Sequence, residues 1–218
     1  MLEWGVAATG WTVLIPAKRL DEAKSRLAPL GDGMAMAFLA DLLRAVQDAR
    51  SVIATMVVSA DPVVRDFCRD QQVPTLDEEA RAGLNAAITT GIRTLPTDTP
   101  LAILTADLPC VTAEALDIVL GDVPPQACSF ICDAQGIGTT TLLMPAGQRV
   151  APAFGHRSRA AHRALGCNEL VGTSPGYVRL RRDVDTPVDL WDAMRIGVGP
   201  ATAAVLADVT RTGGINWS

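Results

Sequence analysis

Lysine is almost missing from this chain: of 19 basic residues only Lys18 and Lys24 are lysine, and the other 17 are arginine. Such a bias reflects GC-rich coding. Against it, two lysines in one short segment invite a chemical reading. Long apolar runs are missing too, since none approaches the ~18 residues a membrane span requires. The first residues, Met1 to Gly5, carry no basic stretch of the kind that opens an export signal. Both absences lead us to expect a cytoplasmic protein that is neither exported nor embedded. The five cysteines, Cys68, Cys110, Cys128, Cys132 and Cys167, form no CxxC pair and no Cys/His zinc spacing, and read as reduced, buried thiols. No GxxxxGK[ST] segment occurs, which argues against a P-loop. The two histidines, His156 and His162, do not share a helix face, so no metal is expected of them.

What is present suits one globular domain. The 218 residues are 49% apolar and 20% charged, enough for a sizeable core and too little charge for disorder. We read residues 1–218 as a single domain with an ordered core over about 11–207 and a loose tail over 208–218. A net charge of −5 disfavours nucleic acid and anionic membrane surfaces as partners. An anionic ligand must therefore be met locally.

Short β-type runs alternate with stretches of helical period. Thr12 to Pro16, Val52 to Val58, Leu101 to Thr105, Ala127 to Cys132 and Thr140 to Met144 read as strands, with Gln72 to Leu76 a short edge strand because proline is tolerated there. Helices are expected from Asp32 to Arg50, from Pro62, over Gly83 to Leu95, from Thr112, and over Ser158 to Leu165, Pro187 to Arg195 and Pro200 to Ala207. In the first of these, Asp41, Arg44 and Asp48 fall on the polar side. The alternation predicts an α/β fold, a mainly parallel central sheet flanked by helices. Ligands of such sheets lie beyond the carboxyl ends of the strands.

Four constellations stand at such ends. Lys18, Arg19, Lys24 and Arg26 follow the first strand and suit a loop that neutralises a triphosphate, though their charges also suit pairing with each other in solvent. Asp107 ends the most apolar strand, where a carboxylate finds a natural partner in a hard divalent cation; a turn or N-cap role is the plainer alternative. In Arg182-Asp183-Val184-Asp185-Thr186-Pro187 a β-type run gives way to a helix, and an extended DxD points Asp183 and Asp185 the same way; alternatively Asp185 or Thr186 caps the helix. The small and hydroxyl residues of Gly136 to Thr141, with Phe154-Gly155-His156-Arg157-Ser158-Arg159, suit a small phosphate or carboxylate ligand, or else simple turns and a cap.

Together these residues resemble the 2-phospho-L-lactate and phosphoenolpyruvate guanylyltransferase family of coenzyme F-420 biosynthesis. The resemblance rests on Ile15-Pro16-Ala17-Lys18, Ala23-Lys24-Ser25-Arg26-Leu27-Ala28-Pro29, Gly83 to Ile88, Asp107-Leu108-Pro109, Gly138 to Leu143, Phe154-Gly155 with Ser158, and Asp183-Val184-Asp185-Thr186-Pro187. It implies a glycosyltransferase-A-like nucleotidyltransferase fold and a reaction in which GTP is joined to phosphoenolpyruvate, 2-phospho-L-lactate or 3-phosphoglycerate with release of pyrophosphate. It further implies Mg2+ held by Asp107, Asp183 and Asp185, with Asp107, Asp185 and Lys24 catalytic. Lys18, Lys24, Arg26 and Asn85 would bind the nucleotide, and Thr140, Gly155 and Ser158 the acid. Asp183 and Asp185 remain alternatives as the main ligand, as do Thr139, Thr140 and Thr141 as the contact to substrate. A homodimer is compatible with the sequence. The competing readings are another nucleotidyltransferase of this fold, of molybdopterin or sugar-nucleotide type, and a catalytically silent nucleotide-binding module. The first usually carries a LAGGxSxRMG loop, which this chain lacks.

Overall fold

The computed structural model describes residues 10–17, 31–76 and 83–211, leaving aside the side chains of residues 31 and 32. The central strand is β1 (Trp11–Pro16), in which Val13, Leu14 and Ile15 are all fully shielded from solvent. Successive apolar residues in a strand need cover on both faces. Helix α1 (Gly31–Asp48) supplies it on one side, with Leu39, Leu42 and Val46 against Val13 and Ile15. On the other side Leu14 packs with Ala87 and Ile88 of α3 (Leu84–Thr94).

Between these come β2 (Val52–Val58), α2 (Pro62–Asp70) and β3 (Thr75–Leu76). After α3 the chain forms β4 (Leu101–Leu104), α4 (Ala113–Gly121), β5 (Ser129–Cys132), β6 (Thr139–Met144), α5 (Ser158–Ala164), β7 (Asn168–Glu169), α6 (Pro175–Arg181), α7 (Pro187–Ile196) and α8 (Pro200–Arg211). One seven-stranded sheet results, in the order β3-β2-β1-β4-β6-β5-β7. Strand β6 runs antiparallel to both its neighbours, and every other pairing is parallel. The mainly parallel sheet expected from the sequence is thus present. Among the described residues no helix is long and apolar enough to cross a membrane.

Helix starts follow local chemistry. Asp61 accepts a hydrogen bond from Val63 N at 2.9 Å with Pro62 at the first turn, and Thr112 caps α4 by accepting from Ala115 N at 3.2 Å. Strand β3 is shorter than the expected 72–76 run. Proline 74 has no N–H to give the ladder, and only its carbonyl is used, accepting from Val57 N at 3.0 Å.

Three expectations are corrected. The stretch before Asp183 is not β-type: Pro175 opens helix α6 behind Ser174, and Tyr177 and Leu180 bury themselves against α4. The segment 208–211, expected in a loose tail, continues α8, because Val205, Leu206 and Val209 join a cluster with Met34 and Phe38 of α1 and Leu190 and Ala193 of α7. Asp41, expected on the polar face of α1, is only 4% exposed. Its carboxylate accepts from Ala201 N at 2.8 Å and Thr202 N at 2.9 Å, so it caps the start of α8, where the helix dipole favours negative charge. A Cβ at Gly199 would collide with that carboxylate, so glycine alone lets α8 approach.

His162 braces β6 to the loop before α5. It is fully buried, and its Nε2 accepts from Ala153 N at 3.2 Å, so that nitrogen carries no proton. The proton sits on Nδ1, 2.9 Å from Thr139 Oγ1. Burial holds the imidazole pKa down at about 4, against an ordinary 6.5.

Two predictions follow from this packing. Asp41→Ala should lower the unfolding free energy by about 2 kcal/mol through loss of two charge-assisted hydrogen bonds, measurable by urea denaturation; an unchanged midpoint would mean that apolar contacts alone hold α8. For His162, folded and unfolded states are both neutral above pH 6.5, so its full contribution is present there. As pH falls from about 6.5 to about 4 the unfolded chain takes up a proton that the folded chain refuses. Stability should then drop by up to about 3 kcal/mol. Urea titrations across this range should show a flatter profile for His162→Asn; an equal slope would exclude His162 as the source.

Candidate active site

The chain passes from β1 outward to β2 and β3, then returns to place β4 on the opposite flank of β1. Such a reversal opens a crevice at the carboxyl ends of the two central strands. The loop leaving β1, with Lys18, Lys24 and Arg26, lies outside the described residues. The loop leaving β4 carries Asp107. Its helix is capped by Thr112 rather than by Asp107, which removes the N-cap alternative.

The DxD segment reaches this loop through the backbone, where Val184 N donates to Asp107 O at 3.1 Å. Val184 points into the α1–α7–α8 cluster, while Asp183 and Asp185 on either side stay part-exposed, as alternation in an extended segment requires. Capping of α7 falls to Thr186, in a reciprocal box with Asp189. The Asp189 carboxylate accepts from Thr186 N at 2.9 Å, Thr186 Oγ1 at 2.7 Å and Asp185 N at 3.3 Å. Arg182 pairs with Asp189 at 3.3 Å and Asp192 at 3.4 Å. The segment is therefore braced from both ends without spending Asp183 or Asp185 on the cap.

Burial pushes the Asp183 carboxyl up to about 7, helped by the negative charges of Asp107, Asp133 and Asp185. Asp133 is a neighbour that the sequence reading missed. It follows β5 and accepts from Ile137 N at 2.8 Å and Gly138 N at 2.6 Å, closing the β5–β6 turn. A Cβ at Gly138 would run into that carboxylate. The signal available was an aspartate at a strand end just ahead of a Gly-containing turn. Its carbonyl also accepts from Arg181 Nη2 at 3.1 Å, which ties the turn to the end of α6.

Among the described residues no three His, Cys, Asp or Glu side chains are grouped so as to hold a metal ion. Magnesium asks for less, since it keeps several waters and takes one or two carboxylates together with substrate phosphates. Such an ion would suit the partly buried Asp183 and the neighbouring charges of Asp107 and Asp185, which could form its protein side.

The residues expected to meet the acid, Thr140, Gly155 and Ser158, fall into two groups. The ladder shifts register between Ile131 and Cys132, whose partners are Thr141 and Thr139, so Thr140 occupies a β-bulge. Its hydroxyl donates to Leu180 O on α6 at 2.7 Å, and its carbonyl accepts from Thr105 N at 3.0 Å, beside the Asp107 loop. Thr139 faces His162 instead. Gly155 and Ser158 lie together, with Ser158 N donating to Gly155 O at 3.1 Å; Gly155 is exposed and Ser158 buried. Asn85, in the first turn of α3, is hydrogen-bonded to Phe154, the residue before Gly155. Thr140 thus stands beside the Asp107 loop, and the loop ahead of α5 is tied to β6 through His162. A second groove, between α2 and β3 and lined by Arg65, Arg69 and Pro74, contains none of these residues.

The comparisons agree with this geometry. A family model described as "Guanylyl transferase CofC like" matches residues 11–209. The phosphoenolpyruvate guanylyltransferase of Geodermatophilus obscurus is 39% identical over 219 residues, 96% of this chain and 100% of that protein. That of Streptomyces coelicolor is 40% identical over 205 residues, 90% of this chain and 96% of that protein. In fold the chain is similar to a crystal structure from Desulfovibrio desulfuricans described as a nucleotide-diphospho-sugar transferase, with a TM-score of 0.69 at 12% identity over 94% of this chain and 96% of that one. It is also similar to 4-diphosphocytidyl-2C-methyl-D-erythritol synthase, with a TM-score of 0.60 at 14% identity over 88% of this chain and 99% of that one. The sheet is therefore that of a nucleotidyltransferase of the nucleotide-diphospho-sugar transferase fold, and the chain belongs to the CofC-like guanylyl transferase family.

Proposed function

We propose that this protein joins GTP to phosphoenolpyruvate, releasing pyrophosphate, as a step of coenzyme F-420 biosynthesis. The observation that carries the reading is the approach of the DxD to Asp107 at the switch point of the sheet, made by the Val184–Asp107 backbone bond. Full-length relatives named for phosphoenolpyruvate favour that acid over 2-phospho-L-lactate and 3-phosphoglycerate.

In the reaction, an oxygen of the acid's phosphate attacks the α-phosphorus of GTP in line. The new P–O bond forms as the bond to the bridging oxygen of pyrophosphate breaks, and the electron pair leaves with pyrophosphate. The nucleophile is already anionic, so no general base is needed. The protein's work is to bring two anions together and hold them in line. Asp107, Asp183 and Asp185 would hold Mg2+, which when bound offsets phosphate charge. Lys18, Lys24 and Arg26 carry the triphosphate, with Lys24 shielding the departing pyrophosphate. Thr140, Gly155 and Ser158 receive the acid. Thr140 has already given its hydroxyl hydrogen to Leu180 O, so donation to the acid there falls to the backbone.

A panel of the three acids against GTP and ATP, with products identified by mass, tests the reaction. Phosphoenolpyruvate with GTP should give the dinucleotide-like product and pyrophosphate; no pyrophosphate from any pair would leave a silent nucleotide-binding module. Asp107→Asn should lower turnover at least ~100-fold, with the circular dichroism and thermal midpoint of the parent retained. Turnover at the parental rate would remove Asp107 from the site.

A further inference from the structure

The family resemblance assigns Asn85 to the nucleoside, but its amide has another occupation. Nδ2 donates to Phe154 O at 2.8 Å, and Oδ1 accepts from Phe154 N at 2.8 Å. Two short bonds from one planar amide to the N–H and C=O of one residue form a closed pair, as a neighbouring strand would make, across 69 positions of sequence. Asn85 is itself held by α3, where its carbonyl accepts from Thr89 Oγ1 at 2.7 Å.

Other contacts around Phe154 fix the same place. Its ring is buried and meets the His162 ring edge-on, with centroids 5.2 Å apart. Ala153, just before it, is held by its N–H on His162 Nε2. Gly155, just after it, has φ of 122°, a value that side-chain-bearing residues rarely adopt, and opens the turn to Ser158. Without Asn85, the Phe154 N–H and C=O lose these partners from α3.

We infer that Asn85 is a positioning residue for the acid-binding loop, acting through Phe154 on Gly155 and Ser158, and not a nucleoside ligand. The inference rests on the guanylyltransferase reading for the identity of the acid, though the clamp itself does not. Displacement of such a loop should weaken acid capture and leave the GTP half of the crevice as it was.

Steady-state kinetics of Asn85→Ala, with each substrate varied in turn, test this. The KM for phosphoenolpyruvate should rise about tenfold or more, with the KM for GTP within about twofold of the parent. A rise in the KM for GTP, alone or equal to that for the acid, would overturn the inference. Should Asn85→Ala fail to fold, Asn85→Leu serves. It keeps a side chain of similar size and offers neither an acceptor to Phe154 N nor a donor to Phe154 O, and the same one-sided rise is expected. Hydrogen exchange separates the two claims: the Phe154 amide should exchange faster in either variant, whatever the substrate proves to be. Unchanged exchange defeats the clamp, whereas absence of turnover in the parent protein with faster exchange in the variants defeats only the assigned reaction.

Discussion

Convergence of carboxylates on one partly buried position is the constraint on which the site depends. Asp107, Asp133 and Asp185, from three separate connections, all bear on Asp183, which burial partly withdraws from water. Charges so placed oppose the approach of their loops. Bonds made by neighbouring groups help to keep them together. Backbone joins backbone at Val184 and Asp107, the α7 cap is served by Thr186 and Asp189, and Arg182 leans on Asp189 and Asp192. Asp133 spends its oxygens on the N–H groups of Ile137 and Gly138, and it is also the member that closes a turn.

The support extends outward. Arg179 of α6 reaches Cys110 O at 2.8 Å, Gly197 O at 3.0 Å and Ile196 O at 3.1 Å, fastening the Asp107 loop to the far end of α7. Asp41 then anchors α8 across the same region. A half-buried arginine that satisfies three carbonyls, and a buried aspartate that satisfies two amides, serve as connectors in places where apolar side chains could not specify direction.

Much of the fold was legible because burial on both faces of a parallel sheet leaves unbroken apolar runs, as in Val13 to Ile15 and Leu101 to Leu104. Caps at Asp61, Thr112 and Thr186 were legible for a similar reason, since a hydroxyl or carboxylate ahead of a helix has one obvious acceptor role. Helix α6 was not, because its last four residues, Val178 to Arg181, alternate apolar and basic side chains in a manner that also suits a strand, and its burial against α4 decides the matter. Asp41 escaped because a charged residue on the polar side of an amphipathic helix gives no sign that a distant helix will end on it. Of the site, Asp107 was legible from its strand end and the DxD from its spacing; Asp133 also stands at a strand end ahead of a turn but was passed over, and the Asn85–Phe154 clamp depends on a contact across 69 positions of sequence.

The single reversed strand has a wider consequence. Strand β6 brings its amino end to the rim where its parallel neighbours present their carboxyl ends, so Thr139 and Thr140 arrive through a local hairpin with no crossover helix behind them. On the proposed reading, nucleotide recognition belongs to the doubly wound half around β1 and recognition of the smaller partner to the hairpin and loop beside it, and Asn85 makes the seam between the two, so that a change on the first side is felt on the second.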